Sequence, residues 1–160
     1  MNFQQSVTTC MHKYATFGGR ASRSEYWWFA GLNILVLQVA EPVGKFAWNV
    51  SVASQQEINN SLVAEMYGEY VWYGAALVLV LPYIAVSFRR LHDTGRSGWW
   101  FWMPPGMATL VEFLVRPERG IMFLIVGILF LLGSLAVMIY WLVLPGDADA
   151  NRFGEPPIAG

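Results

Sequence analysis

The chain has 160 residues, of which 56% are hydrophobic, 16% aromatic and only 13% charged. Soluble domains carry roughly 25% charged residues, so this composition indicates a membrane protein. The formal net charge of -1 argues against nucleic acid as a partner, and the single cysteine, Cys10, excludes a disulfide within the chain.

The first 25 residues are too polar to cross a membrane, and no cleavable signal peptide is predicted from them. Apolar residues recur there at helical spacing, at Phe3, Val7, Cys10, Met11, Tyr14 and Phe17. This pattern predicts an amphipathic helix that lies on the membrane surface or packs under a bundle, and it fits both. Ser22 and Glu25 have capping-box spacing, which predicts that the first spanning helix begins there.

Four apolar segments follow, at residues 26–50, 70–88, 99–115 and 121–144. A helix needs about 20 residues to cross the hydrocarbon core of a bilayer. Pro82 predicts a kink in the second segment. The third segment is short and contains Pro104, Pro105 and Gly106, so it crosses as a broken helix or dips in and returns; we expect it to cross. We therefore predict one all-α domain over 1–160, an integral membrane bundle of four transmembrane helices.

Lysine and arginine are distributed unevenly between the two sides of such a bundle. The side of the termini carries Lys13, Arg20, Arg23, Arg89, Arg90, Arg96 and Arg152, and the other side carries Lys45, Arg116 and Arg119. Because cytoplasmic loops are enriched in these residues, we expect both termini in the cytoplasm. Residues 51–69 and 145–160 then form an outer loop and a cytoplasmic tail.

Three ionisable residues fall within the predicted spans, where charge is costly and often functional. Glu41 and Lys45 are four residues apart, and we expect them to pair on one helix face. Glu112 lies inside the third segment, and we expect it to pair with Arg116. The alternative for Glu112 is a role in ion or proton handling.

The sequences that open the first and third segments resemble each other. "GRASRSEYWWF" begins at Gly19 and "GRSGWWF" begins at Gly95. A parallel duplication of two-helix hairpins would give this pattern. Arginine and tryptophan also recur wherever a helix enters from the cytoplasm, because both suit the headgroup region.

Five arginines fall at the predicted cytoplasmic boundary: Arg20, Arg23, Arg89, Arg90 and Arg96. The guanidinium group of arginine binds phosphate through two parallel hydrogen bonds, and anionic lipid headgroups are abundant at that depth. Alternatively, four carboxylates neutralise the same arginines as an internal lock: Glu25, Asp93, Asp147 and Asp149. We expect the lock, and the two interpretations are compatible.

Candidate catalytic and metal-binding groups are few. His92 and Asp93 would serve as an acid–base pair, but adjacent residues on a helix seldom face each other. Cys10, His12 and His92 are too few and too far apart to indicate a metal site. We therefore predict no catalytic residue, no metal and no cofactor.

Three motifs, "FGGRASRSEYWWF" (17–29), "RRLHDTGRSGWW" (89–100) and "PGDADANRFGEPP" (145–157), resemble the domain of unknown function family 805 (DUF805). This family comprises small bacterial inner-membrane proteins of the YhaH/YhaI type. The resemblance implies an inner-membrane location and several helices, and it implies no established activity, substrate or cofactor.

All three motifs fall on the predicted cytoplasmic side, and we expect them to converge into one polar structure, which we call the cap. In the cap, Asn151 and Arg152 would fold back beneath the bundle, and Phe153 would pack among tryptophans. Those tryptophans are Trp27, Trp28, Trp99 and Trp100. The candidate binding residues are Arg20, Arg23, Arg89, Arg90, His92, Asp93, Arg96, Asn151 and Arg152.

The predicted function is that of a non-enzymatic inner-membrane module whose cap binds anionic lipid headgroups or a membrane protein partner, with homo-oligomers as a further alternative. A small oligomeric transporter or channel that depends on Glu112 is a second hypothesis. A membrane enzyme acting on a phosphate-bearing substrate through His92 and Asp93 is a third.

Overall fold

The computed structural model describes residues 1–52, 61–114 and 120–157. Its helices are α1 (Phe3–His12), α2 (Arg23–Val52), α3 (Ser61–Asp93), a 3₁₀ helix (Gly98–Trp102), α4 (Met103–Leu114) and α5 (Gly120–Val143). No β-strand occurs in these ranges, so the all-α prediction is confirmed for them.

Helix α1 packs against the first turns of α2. It begins with a capping box, in which the Gln5 amide donates to Asn2 and the Asn2 amide donates back to the Gln5 side chain. Ser6 and Cys10 are fully buried. The helix ends at His12, so the predicted helical pattern does not continue to Tyr14 and Phe17.

Helices α2 and α3 form an antiparallel hairpin. Glu25 contacts Arg89 at one end, and the rings of Trp48 and Tyr67 pack at the other. At 1.5 Å per residue, the distance along α2 from Glu25 to Trp48 is about 35 Å, enough to cross the hydrocarbon core. The two backbones approach closely where Gly44 faces Gly68: a Cβ on Gly44 would lie 2.8 Å from the Gly68 Cα.

The ends of this hairpin differ from the predictions. The Glu25 amide donates to the Ser22 hydroxyl as expected, but the Glu25 carboxylate binds Arg89 instead of returning to Ser22. The capping box predicted at this helix start is therefore only half formed, because a buried ion pair engages its second member. Helix α3 begins at Ser61, so residues 61–69, which were predicted to lie in the outer loop, are helical.

Helices α4 and α5 form a second hairpin, in which Gly127 packs against the Val111 side chain. Pro104 and Pro105 lie in the first turn of α4, directly after the 3₁₀ helix. Proline is tolerated there because the first-turn amides have no partner within the helix. The third predicted segment is thus divided between Trp102 and Met103, and the Pro-Pro-Gly sequence lies at the beginning of α4.

Two helices in the described ranges are long and apolar enough to cross a membrane: Ser61–Asp93 and Ile121–Val143. They coincide with the second and fourth predicted spans. The first and third predicted spans fall on α2 and on the 3₁₀ helix with α4, and their crossing stays a prediction.

The three cap segments lie together at one end of the two hairpins. The amide of Ala21 donates to the Arg89 carbonyl at 3.0 Å, and the amide of Asp147 donates to the Asp93 carbonyl at 2.8 Å. The start of α2, the end of α3 and the tail after α5 are thus joined through their backbones. This arrangement positions the candidate site.

Candidate functional site

Asp93, the last residue of α3, lies at the centre of the cap and is shared by two arginines. Its Oδ1 accepts from Arg20 Nε at 2.9 Å, and its Oδ2 accepts from Arg90 Nη1. Side-chain exposure is 4% for Asp93, 1% for Arg20 and 0% for Arg90. A buried charge requires a partner and satisfied hydrogen bonds, and here one carboxylate serves both guanidinium groups.

The remaining N–H groups of Arg20 and Arg90 hold the tail through its main-chain carbonyls. Arg20 donates to the carbonyl oxygens of Asp147, Asp149 and Gly154. Arg90 donates to those of Leu142 and Leu144. The two guanidinium groups therefore connect the ends of α2 and α3 to the chain that follows α5.

The internal lock is present, but with fewer carboxylates than predicted. Glu25 and Asp93 form the ion pairs. The Asp147 carboxylate accepts from Asn151 at 2.8 Å instead of pairing with an arginine, and Asp149 contributes its carbonyl. The prediction that these two carboxylates neutralise the arginines is wrong, because the tail presents its backbone to them.

A second ion pair joins Arg89 to Glu25 at 2.5 Å, with both side chains almost fully buried. Cys10 on α1 lies beside it, with Sγ 3.8 Å from Glu25 Oε1. Burial, reinforced by the negative charge of Glu25, raises the pKa of Cys10 to about 12. The thiol is therefore protonated at neutral pH and acts as a small packing group between α1 and the ion pair.

His92 and Asp93 make separate contacts, so they do not form an acid–base pair. His92 Nδ1 lies 3.1 Å from the carbonyl oxygen of Gly19. The His92 ring stacks on Phe153, with centroids 3.8 Å apart and planes at 4°. Phe153 thus packs on His92, and the prediction that it packs among the tryptophans is wrong.

Asn151 and Arg152 fold back under the end of α3, as expected. Asn151 Nδ2 donates to the His92 carbonyl at 3.0 Å, and its Oδ1 accepts from the Phe153 amide at 2.9 Å. Arg152 Nη2 donates to the Gly95 carbonyl at 3.0 Å, and its guanidinium lies 4.7 Å from the centre of the Phe153 ring. These contacts fix the tail in register with the 89–100 segment.

Three arginines of the cap, Arg23, Arg96 and Arg152, form no ion pair with any carboxylate in the described ranges. Arg23 and Arg152 are exposed. Arg96 is half-buried, and its guanidinium lies 4.9 Å from the centre of the Trp141 ring. These three, unlike Arg20, Arg89 and Arg90, are available to a ligand.

Exposed tryptophans surround the same end of the molecule. Trp99 is 73% exposed, and Trp27, Trp28 and Trp100 are between 44% and 49% exposed. Amphipathic rings of this kind are enriched at membrane–water interfaces.

Gly146 is a functional position that the sequence patterns did not reveal. A Cβ there would lie 2.0 Å from Asp93 Oδ2, so only glycine lets the tail pass over the paired carboxylate. The only indication of its importance in the sequence was that it lies in the "PGDADANRFGEPP" motif. The carbonyl acceptors of the tail were also missed, because backbone groups leave no residue-type pattern.

The predicted intramembrane polar residues lie away from the cap. Lys45 Nζ and Glu41 Oε1 are 2.7 Å apart, so that predicted pair is confirmed. Glu112 is exposed on α4. Its predicted partner, Arg116, lies outside the described residues. Within the described ranges, no group of three or more His, Cys, Asp or Glu residues is placed to hold a metal ion.

Comparisons with known proteins agree with the motifs. The family model described as "Protein of unknown function (DUF805)" matches residues 14–155. Inner membrane protein YhaH of Escherichia coli strain K12 is 32% identical over 113 residues, which cover 69% of this chain and 82% of YhaH. Inner membrane protein YhaI of the same strain is 25% identical over 156 residues, 98% of each chain. No solved structure matches significantly.

Proposed function

Because this chain belongs to the DUF805 family, whose named relatives are inner membrane proteins, we propose that it is a bacterial inner-membrane protein whose cytoplasmic cap binds anionic lipid headgroups. The proposed role is that of a binding module that catalyses no reaction. The observation that supports it is that the cap arginines fall into two groups. Arg20, Arg89 and Arg90 are buried and paired with carboxylates, whereas Arg23, Arg96 and Arg152 are at least partly exposed and have no carboxylate partner in the described ranges.

The buried arginines build the binding surface without contacting the ligand. Arg20 and Arg90 bind Asp93 and the tail carbonyls, and Arg89 binds Glu25 through Nη1, so the three arginines hold distant segments in one position. A rigid surface loses less conformational entropy on binding than a mobile one. The exposed Arg23 and Arg152 and the half-buried Arg96 then supply positive charge to this surface.

The proposed topology has four crossings. Helix α2 runs alongside α3 from the Glu25–Arg89 contact to the Trp48–Tyr67 contact, so if α3 crosses the bilayer, α2 occupies the same depth. The three cap segments meet at one end, which requires an even number of crossings between them. Together with the bias in lysine and arginine, this supports the proposal of cytoplasmic termini and of a cap at the inner leaflet.

The exposed tryptophans support the same placement. Trp27 and Trp28 line the same cavity as Arg23, so exposed apolar rings adjoin an exposed cation at the start of α2. The headgroup region offers phosphate to the arginines and glycerol and acyl carbons to the rings.

The test is native mass spectrometry of protein extracted in mild detergent and titrated with phosphatidylglycerol. Near an anionic membrane surface each arginine contributes about 1 kcal/mol. The double substitution Arg23→Gln with Arg152→Gln removes two of these arginines, so it should weaken the retention of phosphatidylglycerol about 30-fold. Lys45→Gln, which removes a cation from the opposite end, should leave retention unchanged.

Equal retention in the double variant and the parent protein would overturn the proposal. A lipid-free dimer as the only complex would also contradict it, because the exposed arginines would then serve a second copy of the chain.

A further inference from the structure

The two hairpins enclose a cavity that opens towards the lipid. A volume of about 340 Å³ lies between α2–α3 and the 3₁₀–α4–α5 part, within the roughly 300–1,000 Å³ typical of ligand sites. Its walls include Tyr26, Ala30, Tyr83, Phe101, Pro105 and Met138. Ile34 and Ile139 also line it and are 64% and 53% exposed, so the cavity is open on its side.

A second cavity adjoins the first towards the cap. It has a volume of about 520 Å³ and is lined by Arg23, Ser24, Trp27, Trp28 and Val143. Trp27 belongs to the walls of both cavities. The two cavities are therefore neighbours, one beside an exposed cation at the start of α2 and the other an apolar chamber between the helices.

The chemistry of the two cavities differs. At the cap end, the Arg23 guanidinium has no carboxylate partner in the described ranges, and it stands in the first turn of α2, where the helix dipole also favours an anion. At the other end the lining is almost entirely carbon, with proline rings and aromatic faces. One molecule that is anionic at one end and hydrocarbon at the other matches both.

We propose that the two cavities together bind one phospholipid with an anionic headgroup, its phosphate at Arg23 and one acyl chain inserted between the hairpins. The inference rests on the proposed function and deepens it, because it turns a surface attraction into a defined site. The inserted chain fills a volume that no side chain occupies and contacts both hairpins, so the lipid is a structural part of the bundle.

A mid-chain diazirine derivative of phosphatidylglycerol tests the chain position. The protein is loaded in nanodiscs, extracted into detergent to remove bulk lipid, irradiated and digested. Met138 lines the cavity and is 6% exposed, whereas Leu77 is 74% exposed and faces outward. Labelling at Met138 should persist after extraction, while labelling at Leu77 should fall at least about tenfold.

A matched pair of variants on α2 supplies the control. Ile34→Trp places a large ring in the cavity, and Leu35→Trp places the same ring at a neighbouring position that does not line it and is 62% exposed. Ile34→Trp should reduce labelling of Met138 at least about fivefold, and Leu35→Trp should leave it unchanged.

Labelling spread equally over Met138 and Leu77 in the extracted protein would overturn the inference. If phosphatidylglycerol retention still depends on Arg23 and Arg152 while Met138 is never labelled, the headgroup proposal survives and the inserted chain is wrong. If neither Arg dependence nor Met138 labelling is found, both are wrong. Should Ile34→Trp fail to fold, the labelling ratio in the unsubstituted protein decides alone.

Discussion

Asp93 accepts hydrogen bonds from two arginines, which lie 73 and three positions before it in the sequence. Arg20 precedes α2, and Arg90 lies one turn before Asp93 on α3. Its backbone carbonyl also accepts from the Asp147 amide. One residue therefore contacts all three segments of the cap, and we regard it as the residue on which the cap depends most.

Replacing Asp93 with asparagine should destabilise the protein strongly. Asp93→Asn preserves the shape but leaves the Arg20 and Arg90 guanidinium groups buried without a counter-charge, and breaking a buried ion pair costs about 3–5 kcal/mol. The measurement is the free energy of unfolding by denaturant in detergent micelles. Asp149→Asn is the control: its carboxylate is exposed and forms no ion pair in the described ranges, so its effect should stay within about 0.5 kcal/mol. Equal loss in both variants would mean that the shared carboxylate is not the reason for stability.

At the residue scale, the sequence motifs located the cap but not all of its contacts. Arg20, Arg90 and Asp93 could be assigned to one cluster because ionisable residues at a membrane boundary need partners. The partners of Arg20 include carbonyl oxygens of the tail, which any residue type could supply. Phe153 was assigned to the tryptophans because aromatic clustering is common, whereas its stack on His92 depends on how the tail turns.

At the element scale, the α2–α3 hairpin is held by a close backbone approach as well as by the ion pair at its end. A Cβ on Gly44 would lie 2.8 Å from the Gly68 Cα and 3.0 Å from the Val71 Cβ. Small residues at such crossings let helices pack through their backbones, which is a principal attraction between helices in lipid.

Gly44→Ala should therefore push α2 and α3 apart and lower the free energy of unfolding by about 1–3 kcal/mol, the usual cost of overpacking. The measurement is the same denaturant titration in micelles. Gly31→Ala on the same helix is the control, because a Cβ there meets nothing within 4 Å. A Gly44→Ala protein as stable as the Gly31→Ala protein would show that the helices do not pack in this register.

The sequence predicted the order of the helices in the described ranges better than it predicted where each helix ends. Hydrophobic length located residues 70–88 and 121–144 correctly, because a long uncharged run has few alternatives in lipid. It underestimated α2 and α3, which continue into polar sequence at both ends. Pro104 and Pro105 predicted a break in the third segment, and the structure has the division directly before them, because the first turn of a helix tolerates proline.

At the scale of the whole molecule, two hairpins share a charged cap, and a cavity that is open on its side lies between them. The resemblance between the openings of the two hairpins extends to the backbone: Gly19 and Gly95, which precede Arg20 and Arg96, have positive φ angles of 81° and 69°. Their arginines nevertheless act differently, since Arg20 is buried in the ion-pair network and Arg96 lies over Trp141. A duplication of the hairpin stays a prediction.

The central claim is that the buried ion pairs assemble the cap on the cytoplasmic side of the membrane. The most direct test labels the tail with a membrane-impermeant maleimide, using Asp149→Cys in a Cys10→Ala background. Asp149 is exposed and serves the cap through its carbonyl, so the substitution preserves the contact with Arg20. We predict labelling of Cys at this position in inverted inner-membrane vesicles and none in intact spheroplasts. Labelling in spheroplasts would place the cap outside and contradict the account.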